Sequence, residues 1–162
     1  MKKQFTIIPI LLVLFSFTVL FPNEVSSQSI KITGSWDESV DTTDLQGGAG
    51  TDLISTYESV SNVCDIDITG GAKKNWRVDV NKTDTLWHAN LHLYVRRTSD
   101  GTGGGTITGG TAYQEITDIN QTLFSGYDNL RDITIQYQLT GVSVQILPNV
   151  YTTTVNYTIT KI

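Results

Sequence analysis

Two histidines, His88 and His92, have a spacing that could support metal chemistry. On a helix, a separation of four residues would place both imidazoles on one face, as in zinc proteases. The surrounding residues instead alternate as a strand, in which four residues span roughly 13 Å. That distance is too large for both rings to reach one ion. The spacing therefore predicts no metal site, and His92 is expected on an exposed strand face.

An acidic stretch is the second candidate, because carboxylate oxygens are the ligands that calcium prefers. The stretch contains Asp37, Glu38, Asp41, Asp44 and Asp52. Its spacing lacks the ordered Asp, Gly and terminal Glu positions of an EF-hand. A solvated run of charges is the default interpretation, and calcium binding at Asp37, Glu38, Asp41 and Asp44 stays an open alternative.

The remaining reactive residue types do not combine into a catalytic set. Asp65 and Asp67 fit the glycosidase spacing of roughly 5 to 9 Å, as many i and i+2 strand neighbours do. Cys64, the single cysteine, is in phase with the apolar residues that follow it and is predicted to be a small buried hydrophobe. Trp87 could stack on a sugar near a strand end, or lie in the core or at its rim. We predict no catalytic, cofactor-binding or metal-binding residue, and no enzyme activity.

Strands must position these side chains, because apolar and polar residues alternate along most of the chain. The clearest alternation covers residues 150–161, where Tyr151, Val155, Tyr157 and Ile159 share one parity. Such a period of two predicts a strand with one buried face, here the face of Tyr157 and Ile159. Similar patterns predict strands at 29–36, 64–69, 76–81, 89–95 and 133–139, and a weaker one at 112–117.

Two of these strands are predicted to form a hairpin. Residues 64–69 and 76–81 are joined by 70–74, and charges of opposite sign on their solvent faces would support the pairing. We therefore expect the two segments to be neighbours in one sheet.

The other segments predict connections. Residues 37–52 indicate a long loop, and residues 118–130 indicate mostly connection. Residues 99–110 indicate a flexible connection or a glycine-rich edge, and residues 53–60 fit a helical turn as well as an irregular strand. The phase of the apolar residues changes at 140–141, which indicates a bulge or a tight bend.

The N-terminus is typical of a secretory signal peptide, which predicts export. Lys2 and Lys3 precede an apolar run over residues 5–21, and small residues near position 27 provide a cleavage site. We expect a signal peptide at 1–27 and a single domain at 28–162. An uncleaved membrane anchor is the competing interpretation. The net charge of −5 argues against nucleic acid or anionic lipid surfaces as partners.

These patterns define the expected fold class. About eight strands without a long helix predict an all-β domain, an antiparallel immunoglobulin-like β-sandwich. A small barrel is the alternative.

The sequence at the end of the chain, Tyr-Thr-Thr-Thr-Val-Asn-Tyr-Thr-Ile-Thr from Tyr151, resembles the final strand of secreted pilin-type subunits of the chaperone–usher and spore-coat-U group. This resemblance implies an incomplete immunoglobulin fold that accepts a strand from a neighbouring subunit, and a fimbrial subunit without an active site. The chain departs from that pattern in two ways. It lacks paired cysteines, and its arm before Trp36 is short, with only Ile30 and Ile32 in alternation.

The expected function is therefore a structural or adhesive binding module of a bacterial cell, of which a pilin-like subunit is one form. Its expected location is extracellular, at the cell surface or in the periplasm. Its expected partners are other protein subunits or surface ligands, including further copies of itself joined by strand addition. The alternative is a secreted carbohydrate-active or carbohydrate-binding protein.

Overall fold

The computed structural model of the chain describes residues 27–162. The predicted signal peptide thus lies outside the described residues, apart from its last position, Ser27. Within the described part, no helix has the length and apolar character that a membrane crossing requires. The only helical element there is a single 3-10 turn, Thr42–Asp44. The prediction of an all-β chain is confirmed for this region.

Ten strands lie within residues 27–162, where the sequence predicted about eight. They are β1 Ser29–Gly34, β2 Thr56–Glu58, β3 Cys64–Thr69, β4 Asn75–Leu86, β5 His92–Arg97, β6 Thr106–Gly109, β7 Gln114–Glu115, β8 Gln121–Tyr127, β9 Leu130–Thr140 and β10 Thr152–Lys161. Strands β2 and β7 are only three and two residues long, too short for a period of two to be read from sequence.

The strands form two antiparallel sheets. The larger has six strands in the order β1-β3-β9-β5-β7, with β2 also paired to β9. The smaller has four strands in the order β10-β4-β8-β6. Apolar side chains are paired across neighbouring strands in both sheets, for example Ile66 with Ile133 and Val78 with Phe124. Such cross-strand pairs stabilise the register.

Both sheets contribute side chains to one buried core. The six-stranded sheet supplies alternate residues of β3, β5 and β9, and the four-stranded sheet supplies alternate residues of β4. Trp76 of β4 and Phe124 of β8 pack edge to face, with ring centroids 6.2 Å apart. On β10, Val155, Tyr157 and Ile159 pack against this core. The predicted phase of the final strand is therefore confirmed.

The predicted hairpin between residues 64–69 and 76–81 is wrong. Both strands form with the expected buried face, but β3 pairs with β1 and β9, whereas β4 pairs with β8 and β10. The intervening turn carries the chain from one sheet to the other, and Asn129 accepts a hydrogen bond from its Gly71 amide at 2.8 Å. Alternation identifies the buried face of each strand, but it does not tell a neighbour in the same sheet from a partner across the core.

The prediction that residues 118–130 are mostly connection is also wrong. Strand β8 lies inside the four-stranded sheet, between β4 and β6. Its adjacent residues Leu123 and Phe124 are both buried, and the register against β4 shifts between Val78 and Asp79. A bulge of this kind places two consecutive side chains in the core and breaks the period of two. The alternation of apolar and polar residues therefore did not predict this strand.

The structure decides between the alternatives that the sequence left open for two segments. Residues 53–60 contain strand β2 rather than a helical turn, and residues 99–110 contain the edge strand β6. The phase change at 140–141 marks the end of β9. There, Gly141 has φ 84°, and a Cβ at this position would lie 1.8 Å from the carbonyl oxygen of Asn90. Only glycine fits this bend.

The first testable prediction concerns Gly126 of β8. A Cβ at this position would lie 2.4 Å from Cη2 of Trp76 and 2.5 Å from the carbonyl oxygen of Thr106. Because Trp76 is fully buried, Gly126→Ala should lower the free energy of unfolding by about 1–3 kcal/mol. Gly104→Ala is the control, since nothing lies within 4 Å of its Cβ. Urea denaturation should separate the two variants, and equal midpoints would contradict this packing.

Candidate binding cleft

A cleft of about 930 Å³ opens between the two sheets, at the end where β9 stops and β10 begins. Its floor combines Leu93 and Tyr137 of the six-stranded sheet with Val155 and Tyr157 of β10. One rim is residues 34–40, which follow β1, and the other is residues 142–151, which lead into β10. The cleft therefore borders the edge of the four-stranded sheet.

Two tyrosine hydroxyls meet on the floor of the cleft. The hydroxyl oxygens of Tyr137 on β9 and Tyr157 on β10 are 2.8 Å apart, so each phenol finds its partner in the opposite sheet. Burial raises the pKa of Tyr137, and burial together with the neighbouring Tyr137 raises the pKa of Tyr157 well above its ordinary value. Both phenols therefore stay protonated at neutral pH and hold the two sheets together.

Cys64 also lines the cleft, and its predicted burial is confirmed. The side chain is only 3 % exposed and forms no disulfide. Burial raises the pKa of the thiol. Because the thiolate is the reactive form, this cysteine is poorly suited to nucleophilic chemistry.

Aromatic side chains are fixed around the cleft by specific contacts. The ring of Trp36 stacks on Tyr137, with centroids 6.3 Å apart and an interplanar angle of 3°. The indole N–H of Trp87 donates to the carbonyl oxygen of Leu91 at 2.7 Å, and the Lys82 ammonium lies 5.1 Å from the centre of its ring. Trp87 is half-buried against the core, so of the two sequence interpretations the core or rim position is the one observed.

Backbone amides hold three carboxylates of the acidic loop, residues 37–52, in place. Asp41 caps the 3-10 turn by accepting from the Thr43 amide at 2.7 Å, and Asp44 accepts from the Asp41 amide at 2.9 Å. Asp52 accepts from the Val144 amide at 2.9 Å, which joins the acidic loop to the opposite rim of the cleft. These backbone donors lower the pKa of Asp41 and of Asp52.

Metal ligands are not grouped in the region that the structure describes. Among residues 27–162, no three His, Cys, Asp or Glu side chains lie close enough together to hold an ion. The carboxylates of Asp41, Asp44 and Asp52 instead accept hydrogen bonds from backbone amides.

The other candidate residues lie apart from one another. His92 Nδ1 is 2.6 Å from Glu115 Oε1, on the outer face of the six-stranded sheet. His88 packs its ring edge-on against Tyr151, with centroids 6.1 Å apart. Asp67 accepts a hydrogen bond from the Asp132 amide. None of these candidate residues lines the cleft.

The rim at residues 142–151 was not predicted as part of a site. Leu147 and Val150 are 78 % and 76 % exposed, and Val144 is 56 % exposed. Apolar side chains concentrated in a connection between two strands were the signal available in the sequence. Leu147 and Val150 also line the cleft, so their exposed side chains form part of its rim.

Comparison with known proteins adds no relative. No protein-family model matches this chain, and no curated protein or solved structure matches it either.

Removing the carboxylate of Asp52 should loosen the rim. Asp52→Ala deletes the acceptor of the Val144 amide, so the protection factor of that amide against hydrogen exchange should fall several-fold. Asp118→Ala removes an exposed carboxylate outside the cleft and is the control. Since its hydrogen bonds lower the pKa of Asp52, they stabilise the rim above the ordinary carboxyl pKa of about 3.9 and are lost as the pH falls through the lowered value. A Val144 amide unaffected by acid or by the substitution would show that Asp52 does not tie the acidic loop to the rim at residues 142–151.

Alkylation of the native thiol tests the burial of Cys64. We expect the reaction to be slow, with a pH midpoint above the ordinary thiol value of about 8.5, because burial raises the pKa. Cys64→Ser should fold and lose about 1–2 kcal/mol of stability, because it places a hydroxyl in an apolar layer. Rapid labelling at neutral pH would be inconsistent with the buried position.

Proposed function

We propose that this chain is an exported, non-catalytic binding module with an immunoglobulin-like β-sandwich, which binds an extended segment of another polypeptide along β10. The observation that carries the proposal is the free edge of β10 beside the open cleft. Among the described strands, β10 pairs only with β4 and ends the order of its sheet.

The other sheet edges in the described region are protected against strand addition. Edge strands are commonly kept apart from other chains by charge, by shortness or by interruption. Strand β1 carries Lys31, β2 and β7 have three and two residues, and β6 has four residues and ends at Gly109. By contrast, β10 has ten residues and no charge before Lys161.

The hydrogen-bond pattern of β10 leaves donors at this edge. The Ile162 amide donates to the carbonyl oxygen of Asn75 on β4, and these two residues continue the register of the pair. In an antiparallel ladder the direction of the amides alternates. The amides of odd residues such as Thr153, Val155 and Tyr157 therefore point away from β4. A docking strand would find a row of backbone donors and acceptors there.

The adjacent cleft suits the side chains of such a strand. In strand addition, main-chain hydrogen bonds supply affinity, and pockets for alternate side chains supply specificity. The floor of the cleft is apolar and aromatic, and Leu147 and Val150 add exposed apolar surface at its rim. The polar groups of the floor are already engaged, since Tyr137 bonds Tyr157. This arrangement favours binding over catalysis.

The sequence supports an extracellular, periplasmic or cell-surface location through the predicted signal peptide. The resemblance of the last strand to pilin-type subunits fits a partner that is another subunit, or a further copy of this chain. The carbohydrate-binding alternative has less support, because Trp87 is half-buried and its indole N–H is engaged with Leu91.

A synthetic ten-residue peptide in which Thr alternates with Ile, Val and Phe provides the test. The exported protein should bind it, alkylation of Cys64 should slow several-fold, and the amides of Val155 and Tyr157 should gain protection from hydrogen exchange. A peptide of the same composition with its apolar residues adjacent is the control, since it cannot place them all on one side.

Thr153→Pro provides the matched variant of the protein. It removes an amide that points to the free edge and leaves the ladder to β4 intact, so the variant should fold but lose peptide binding. If a second copy supplies the strand, the wild type should sediment as oligomers and the variant as a monomer. A monomeric wild type that binds neither peptide, or protection that falls on another strand, would overturn the proposed function.

A further inference from the structure

We infer that the segment bound in the cleft pairs bulky apolar side chains with a flanking lysine or arginine, which faces Asp37 and Glu38. This inference rests on the proposed function and specifies the chemistry of the partner. It commits to a basic, apolar stretch of another protein as the occupant.

The size and lining of the cleft indicate the apolar part of the partner. A volume of about 930 Å³ lies at the upper end of the range of ordinary ligand pockets. It accommodates several side chains or a large aromatic one. Leu91, Leu139 and Val142 line it together with the stacked rings of Trp36 and Tyr137. A polar side chain placed against these groups would lose hydration that they cannot replace.

The charges of the rim indicate the basic part. Asp37 and Glu38 are the only charged residues among those that line the cleft, and no lysine or arginine does so. Both are exposed. Unlike Asp41, Asp44 and Asp52, they cap no turn and accept no hydrogen bond from the rest of the described chain. They are therefore available to a partner.

Because of their position, these two carboxylates can select a partner by the sign of its charge. They follow β1 on one rim, and the opposite rim leads into β10 with its free edge. A strand docked along β10 with its side chains in the cleft thus passes between the two rims. A cation next to its apolar residues would be attracted to Asp37 and Glu38, and an anion would be repelled.

Three peptides that differ at one position test this selectivity. Each has the alternating Thr and apolar sequence described above, followed by Lys, Gln or Glu. The wild type should bind the Lys peptide most tightly and the Glu peptide least, with a difference of about five- to tenfold at low ionic strength. This difference should shrink in 1 M salt, where the Debye length is about 3 Å.

Charge reversal at the cleft is compared with the same charge reversal elsewhere on the protein, which is the control. The double substitution Asp37→Lys and Glu38→Lys should invert the order of the three peptides. Asp65→Lys combined with Asp118→Lys changes the net charge equally outside the cleft and should leave the order unchanged.

The outcomes separate the two proposals. Binding of all three peptides with equal affinity, or an inversion produced equally by the control pair, would overturn the charge selectivity and leave strand addition standing. Self-association of the wild type that ignores all three peptides would likewise overturn it, because a second copy would then fill the cleft. Failure of every peptide to bind a monomeric wild type would overturn both proposals.

Discussion

One hydrogen bond, between the hydroxyls of Tyr137 and Tyr157, connects the two sheets on the floor of the cleft. Buried phenols need a partner, and each of these finds it in the opposite sheet at 2.8 Å. Two phenol side chains that meet at their tips hold β9 and β10 farther apart than a pair of aliphatic side chains would. The contact therefore lies at the boundary between the buried core and the cleft.

Strand β10 combines a buried inner face with an outer edge that no described strand pairs. Its inner face carries Val155, Tyr157 and Ile159 against the core, and its inner edge forms a long ladder with β4. Its outer edge lacks the charges that protect such edges from other chains. Burial of its inner face anchors the strand, while its outer edge stays unpaired among the described strands. The threonines on its wet face keep that edge soluble and uncharged.

Much of the fold could be read from alternation, because a strand with one buried face must repeat every two residues. The inward faces of β3, β9 and β10 were predicted correctly on this basis. Pairing could not be predicted in the same way. Strands β3 and β4 carry equally clear patterns but lie in different sheets, and the adjacent buried residues Leu123 and Phe124 concealed β8.

The cleft was harder to predict than the strands, since it gathers residues from distant segments of the chain. Trp36 and Tyr137 stack across about a hundred positions of sequence, and the tie from Asp52 to Val144 spans a similar separation. The acidic run was predicted to be a solvated run of charges, with calcium binding as the alternative, whereas three of its carboxylates accept hydrogen bonds from backbone amides. A local motif search detects ligands close in sequence, but this surface depends on contacts that only the folded chain brings together.

The connectivity of β4 also has a consequence for the timing of folding. Its two neighbours are β8 and β10, so the four-stranded sheet closes only after the intervening strands and the last one have been synthesised. Closing loops of this length costs entropy before any contact compensates for it, and chains dominated by distant pairings fold slowly. A newly made chain would thus remain open for longer than one built from local hairpins. If the chain is exported as proposed above, this delay would keep it unfolded until it has crossed the membrane.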